Sequence, residues 1–404
     1  LFFTEMWERF GYYLMLGIFA LYMLDSAQNG GMGFSPEKKS DIYGTYLGLV
    51  YLTPFLGGLL ADRILGYRKS IIIGGLLMAA GYFSLALPGE TTFYAALMLI
   101  IVGNGFFKPN ISTLLGNLYS KDEYKANKDS GYNIFYMGIN IGAFVCNFVA
   151  AFLRINYGWG WAFAAAGVGM LIGIAIFIKG MPHVKEADVI KPLEKGDLST
   201  ARILQFTLFP MIIFGLLGYL IPGNLLGSDS NDAFIIGCIP VVAFFIYLYV
   251  KANENDKRPI GALLAVYACL VIFWAIFHQN GDALTIWAKD YTDRQPTEMV
   301  EKSLTTLKLS QTVTNDSVAR LDDAQFALYS SYVKAQEEKF KAEKNVDARR
   351  ELSNTFKEQF ASRSYFHNLD PDQIPPEDKS LKLISTEIYQ SVNPFWIIIL
   401  TPLL

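Results

Sequence analysis

Charge is scarce in this chain. Asp, Glu, Lys and Arg make up 18% of its 404 residues and hydrophobic residues 52%, whereas a soluble domain is nearer a quarter charged. Cysteine is scarcer still. Cys146, Cys238 and Cys269 all lie in apolar segments, so they read as small packing residues and exclude a disulfide framework. Only three histidines occur, two of them, His183 and His367, in loops where solvation is expected. No metal-ligand cluster, phosphate loop or nucleophile–base arrangement is visible, so neither a cofactor nor an enzymatic activity is expected. A cleavable signal peptide is also lacking.

Long apolar runs are abundant. They fall near 4–24, 41–62, 70–88, 92–119, 129–155, 161–179, 203–222, 233–250 and 260–288. Runs of this length and composition specify an all-α polytopic membrane protein with the lipid bilayer as its solvent. The net charge of −3 says little here, because its distribution sets orientation. Arg63, Arg68 and Lys69, then Lys121, Lys125 and Lys128, then Lys179, Lys185, Lys191, Lys195 and Arg202 fall in alternate links. The opposite links are poorer, with Lys38 and Lys39 in 25–40. The positive-inside rule then predicts a cytoplasmic N-terminus.

The expected organisation is a six-helix bundle over 1–180, a cytoplasmic linker over 181–202 and an additional helical hairpin over 203–250. A seventh core helix follows over 251–289, then an extramembrane insertion over 290–392 on the far face. That insertion is polar, and Phe326, Tyr329, Val333, Phe340, Leu352, Phe356 and Phe360 recur in it at helical spacing. A helical hairpin with a Pro-rich exit at DPDQIPPED is expected there, acting as a lid or solubilising segment. The segment 393–404, NPFWIIILTPLL, opens like an eighth helix, with Asn393 and Pro394 as cap and first residue. It is too short to span a bilayer, and Leu1 is no initiator, so a piece of a longer protein is expected.

The first helix is unlike the others. Glu5, Glu8, Arg9 and Tyr12 share one of its faces by their i, i+3 and i+4 spacing, with Tyr13 beside them. Each ionisable group costs about 2.5–3.5 kcal/mol near the centre of a bilayer. Two carboxylates beside one guanidinium cannot both be fully neutralised, so one is expected to take up a proton. A proton site, an anion-binding arginine and two phenols on one face suggest a transport pathway.

Residues 57–69, GGLLADRILGYRK, join the second and third helices and resemble the loop signature of the major facilitator superfamily. Asp62, Gly66 and Arg68 fall at its gating positions. EMWERFGYY at 5–13, FFKPNIST at 106–113, FYMGINIGAF at 135–144 and FWAIFHQNG at 273–281 together resemble the proton-dependent oligopeptide transporter family. The resemblance covers nearly all of the apolar part, and the 203–250 hairpin resembles two extra helices of bacterial members. It implies a major facilitator fold with a complete first bundle and a truncated second. It also implies proton-coupled symport of di- and tripeptides into the cytoplasm across a bacterial inner membrane. A monomer is expected, with protons as the coupling ion and no nucleic-acid partner.

On this resemblance Glu5 and Glu8 couple protons, while Arg9 and Lys108 hold the peptide carboxylate, bidentately and as a compact charge respectively. Tyr12, Tyr13, Tyr51, Asn140 and Trp274 line the pocket. Packing is an equal reading for Tyr13, and snorkelling is the alternative for Lys108. Four residues after Trp274 the family usually has an acid, and this chain has His278, with Asp282 one turn further. His278 or Asp282 is expected to replace that acid in proton coupling. The substitution reverses the charge logic, because protonated His is a cation. Carriage of another anion such as nitrate, or peptide sensing by a membrane receptor, are the alternatives.

Overall fold

A computed structural model describes residues 1–27, 29–121, 123–190, 199–222, 225, 228–314, 376 and 379–401. The helical pattern expected at 326–360, most of the Pro-rich exit, Lys191, Lys195 and His367 lie outside these residues.

Six helices form the first bundle: α1 Phe2–Leu24, α2 Pro36–Leu60, α3 Tyr67–Leu85, α4 Glu90–Leu118, α5 Lys128–Tyr157 and α6 Trp159–Gly180. α2 starts earlier than its apolar run, because Ser35 Oγ accepts the Lys38 amide at 3.2 Å and Pro36 takes the first helical position. Lys38 and Lys39 therefore sit on its first turn. α1 lies between α5 and α6; α3 packs on α4 and α6, and α2 on α4. The core is continuous through Leu14, Met15, Ile18 and Phe19 of α1 with Tyr46, Phe93 and Phe163. α5 approaches α1 closely at Gly142, where a Cβ would collide with the Met6 carbonyl.

The expected 203–222 span is two helices, α7 Thr200–Phe206 and α8 Leu208–Tyr219. Pro210 explains the break: it has no N–H, and its ring would meet the carbonyl four residues back. α8 pairs with α9, Asp229–Lys251, with Gly218 against the Asp232 backbone. The 260–288 run is likewise divided. α10, Glu254–Phe277, leads to a 3-10 turn over His278–Gly281 and then to α11, Ala283–Tyr291. Among the described residues seven helical stretches are long and apolar enough to cross a membrane. α1 and α3 are not in that set, yet both are integral to the bundle.

The 290–392 stretch was expected to be helical, and its described ends are mixed. α12, Glu298–Thr306, leads into β1, Ser310–Thr314, which pairs antiparallel with β2, Ser380–Ile384. Leu383 is fully buried on one side of this ribbon while its neighbour Lys382 is exposed. A 3-10 turn, Thr386–Ser391, then enters α13, Val392–Leu400. Asn393 and Pro394 fall inside its first turn, as its second and third residues, because the helix starts two residues earlier than expected.

Candidate functional site

α1 carries the charged cluster on its buried face. Arg9 Nε donates to Glu5 Oε1 at 2.8 Å, and Glu8 Oε2 stands 2.8 Å from the same nitrogen. Glu5, Glu8 and Arg9 are 2%, 0% and 4% exposed, so water screens this triad little. The helical spacing already fixed this grouping. The Arg9 guanidinium also lies 5.5 Å from the Tyr12 ring centre.

The cluster is under-satisfied. Both Glu8 oxygens, the second Glu5 oxygen and the hydroxyls of Tyr12, Tyr46 and Tyr82 are buried without a protein hydrogen-bond partner. Glu8 interacts electrostatically with Tyr46 and Tyr82, and Tyr12 with Tyr46. Such groups cost about 1–3 kcal/mol each when nothing meets them. Tyr46 and Tyr82 were not expected from sequence. Their rings pack in the core, and a tyrosine in an apolar run gives no sign that it lies within electrostatic reach of a glutamate on another helix.

Lys108 comes from α4 at Pro109, where the helix lacks one backbone donor. Its Nζ lies 4.5 Å from the Tyr51 ring centre, and it interacts electrostatically with Arg9, Glu8 and Glu5. It therefore faces the cluster and does not snorkel. Tyr51 is also 5.2 Å from His278 and 6.1 Å from Trp274, and Trp274 stacks on His278 at 5.3 Å. α2, α4 and the end of α10 thus meet at one aromatic wall beside Lys108. Tyr13 is partly buried and stands edge-on to Tyr12, 5.4 Å between ring centres.

Asn140 is buried on α5, but its Nδ2 donates to the Tyr136 carbonyl of its own helix at 2.9 Å. Asn104 and Asn110, not singled out from sequence, tie α4 to α2 through the carbonyls of Val50 (3.0 Å) and Gly57 (3.4 Å). An amide inside an apolar run was the available signal.

Asp282 does not join Lys108. It forms an ion pair with Lys39 at the start of α2, both largely buried. Lys39 was missed because it read as a loop residue. His278 and Asp282, expected as alternatives for one role, thus stand in different surroundings.

At the other end of the bundle, a π-helical turn over Ala61–Leu65 precedes Gly66, whose φ of +80° suits glycine. Asp62 Oδ1 accepts the Tyr67 hydroxyl at 2.6 Å, and Arg68 Nε donates to Asp188 Oδ2 at 2.7 Å. Asp188 Oδ1 also accepts the Tyr67 amide at 2.7 Å. These contacts join α3 to the turn after α6, and Asp188 was not anticipated.

The chain is similar to known proteins over most of its length. The profile of the POT family matches residues 68–309. The di-/tripeptide transporter of Lactococcus lactis subsp. lactis is 32% identical over 308 residues, 74% of this chain and 61% of that protein. The peptide transporter YePEPT of Yersinia enterocolitica subsp. palearctica is 33% identical over 310 residues, 73% of this chain and 60% of its own length. The chain thus spans about three fifths of these relatives. Among solved structures, a peptide transporter POT in complex with sulfate superposes with a TM-score of 0.63 and 26% identity, covering 100% of this chain and 66% of that one. A POT family transporter in complex with 5-aminolevulinic acid gives 0.61 and 25%, covering 73% and 62%. Matching in sequence over most of its length and in the arrangement of its helices, the chain belongs to the POT family of transporters, with a major facilitator fold.

Proposed function

We propose that this protein carries di- and tripeptides across a bacterial inner membrane with protons, by alternating access. One observation carries the reading: two buried carboxylates share a single guanidinium nitrogen, each 2.8 Å away. With both ionised the triad has a net charge of −1 in a poorly hydrated place. One proton removes that excess, and Glu8 is the acceptor because neither of its oxygens has a hydrogen bond. Protonated Glu8 no longer competes for Arg9, which then takes the peptide carboxylate. Lys108 adds a second positive charge, and Tyr12, Tyr13, Tyr51, Asn140 and Trp274 contact the peptide without selecting its side chains.

His278 replaces the usual acid in this account. Neutral, it stacks on Trp274 and leaves Lys108 free for substrate; charged, it would repel Lys108. Of the four residues expected to couple protons, Glu8 takes the proton in this account, Glu5 holds Arg9 in register, and His278 and Asp282 are not needed for coupling. The Lys39–Asp282 pair closes the outer side. Asp62, Gly66 and Arg68 shape the inner loop. The N-terminus lies in the cytoplasm and the carrier works as a monomer.

The relatives, a di-/tripeptide transporter and a peptide transporter, support the substrate class. The test is uptake of labelled dialanine by the full-length protein in proteoliposomes. Accumulation driven by an inward proton gradient and lost in Arg9→Ala is expected. Gradient-independent behaviour, with correctly inserted protein, refutes the proposal.

A further inference from the structure

The root of the 290–392 stretch is bound to the outer end of the first bundle by contacts that the peptide site does not use. Arg154, near the end of α5, donates from Nε to Glu387 Oε1 at 2.8 Å and from Nη2 to Glu387 Oε2 at 3.1 Å. Its Nη2 also reaches Ser385 Oγ at 2.7 Å, and Ser385 Oγ donates to Glu387 Oε2 at 2.7 Å. This is a two-pronged arginine–carboxylate pair. Glu387 is 0% exposed, and the Arg154 guanidinium lies 5.1 Å from the Trp159 ring centre. Two turns back along α5, Asn147 Nδ2 donates to Ser391 Oγ at 3.1 Å, and Ser391 donates to the Phe144 carbonyl at 3.0 Å. Beneath the polar contacts Ala151 of α5 packs with Leu304 and Leu309, flanked by Phe148, Phe152 and Ile388.

This root is itself braced. Arg294 donates to the Ile384 carbonyl at 2.8 Å and to Gln311 Oε1 at 3.0 Å, and the Ile384 amide donates to the Arg294 carbonyl at 2.9 Å. The segment just after α11, the ribbon and the 3-10 turn are therefore tied together, and the turn continues directly into α13.

We infer that the ribbon and 3-10 turn form an outer latch, in which Glu387 and Ser385 clasp Arg154 and hold the outer side of the carrier shut. The inference rests on the alternating-access reading above, in which α5 and α13 belong to bundles that rock apart. Opening the outer side then requires these contacts to break once per cycle. An ion pair suits that task better than an apolar weld. Its closed-state attraction is largely offset by the hydration that each charge regains on opening, so the net closing force is small and the register is still specific. Arg154 and Glu387 are positioning residues, remote from the peptide.

Glu387 stays ionised in the latch. Burial pushes its carboxyl up, but the Arg154 charge and the hydrogen bonds from Arg154, its own backbone and Ser385 outweigh this and hold it below the usual 4.5.

The experiment uses the full-length protein with its native cysteines replaced, spin-labelled at exposed Leu87 and Met299. Glu387→Gln and Arg154→Ala are expected to add a longer distance, raising the open-to-closed ratio on the outer side about tenfold. A disulfide between Asn147→Cys and Ser391→Cys is expected to stop dipeptide uptake, and reductant to restore it. This second measurement stands if the charge variants fail to fold. Unchanged distances in folded variants, or full uptake by the cross-linked protein, overturn the latch. Lengthened distances in the variants, with no peptide uptake by the unsubstituted protein, keep the latch and overturn the transport reading.

Discussion

Glu8→Gln separates proton binding from peptide binding. Glu8 Oε2 is 2.8 Å from Arg9 Nε, and both side chains are buried. At an effective dielectric constant of about 20, two unit charges at that separation attract by about 6 kcal/mol. This gross attraction is what a peptide carboxylate must displace while Glu8 is ionised, and what one proton removes. Glutamine keeps the size and removes the charge, so Arg9 is permanently available. Peptide exchange between equal internal and external pools should persist, and its affinity should lose its pH dependence. Net accumulation should vanish. A single proton moving down one pH unit supplies about 1.4 kcal/mol, a tenfold ceiling on accumulation. The unsubstituted protein should approach that ratio at a one-unit gradient, and Glu8→Gln should remain at a ratio of one. The assay is labelled dialanine in proteoliposomes with buffers of unequal pH inside and out. Accumulation by Glu8→Gln equal to that of the unsubstituted protein removes Glu8 from the mechanism.

Other perturbations have equally definite outcomes. His278→Glu puts a carboxylate where Lys108 and Tyr51 already meet, so Lys108 is captured and the KM for dipeptide should rise several-fold with a smaller change in maximal rate; an unchanged KM removes Lys108 from substrate binding. Asp188→Asn weakens three contacts, to the Tyr67 amide, the Arg68 amide and Arg68 Nε. Stability should fall by about 1–3 kcal/mol, read as a lower unfolding temperature in detergent with uptake per folded molecule retained. Glu387 has a depressed pKa, so its contribution to outer closure is present above the ordinary 4.5 and is lost as pH falls through the lower value of the closed state. Outer-side label distances should therefore be constant from neutral pH down to about 5 and lengthen only below about 4.5.

Local chemistry was legible in the sequence, and long-range pairing was not. The Glu5–Glu8–Arg9–Tyr12 face follows from helical spacing alone, and the apolar runs located the bundle helices within a few residues. The Lys39–Asp282, Arg154–Glu387 and Arg68–Asp188 pairs span 243, 233 and 120 residues. Such partners are set by how helices pack, and no periodicity records that. Lys39 was also hidden by a boundary, since Ser35 and Pro36 extend α2 ahead of its apolar run. The ribbon escaped notice because SQTVT and SLKLI are short and sit in a polar stretch read for helical spacing. Tyr46 and Tyr82 read as packing residues because their rings do pack, and nothing in an apolar run shows that a tyrosine will interact electrostatically with Glu8.

The central claim is that the triad on α1 ties one proton to each peptide carboxylate. The most direct measurement follows interior pH with an entrapped dye when dialanine is added outside proteoliposomes of the full-length protein with no preset gradient. The account predicts that the interior acidifies as peptide enters. It also predicts no acidification for Arg9→Ala, or for dialanine amide, which lacks the carboxylate. Peptide entry without acidification by the unsubstituted protein would contradict it.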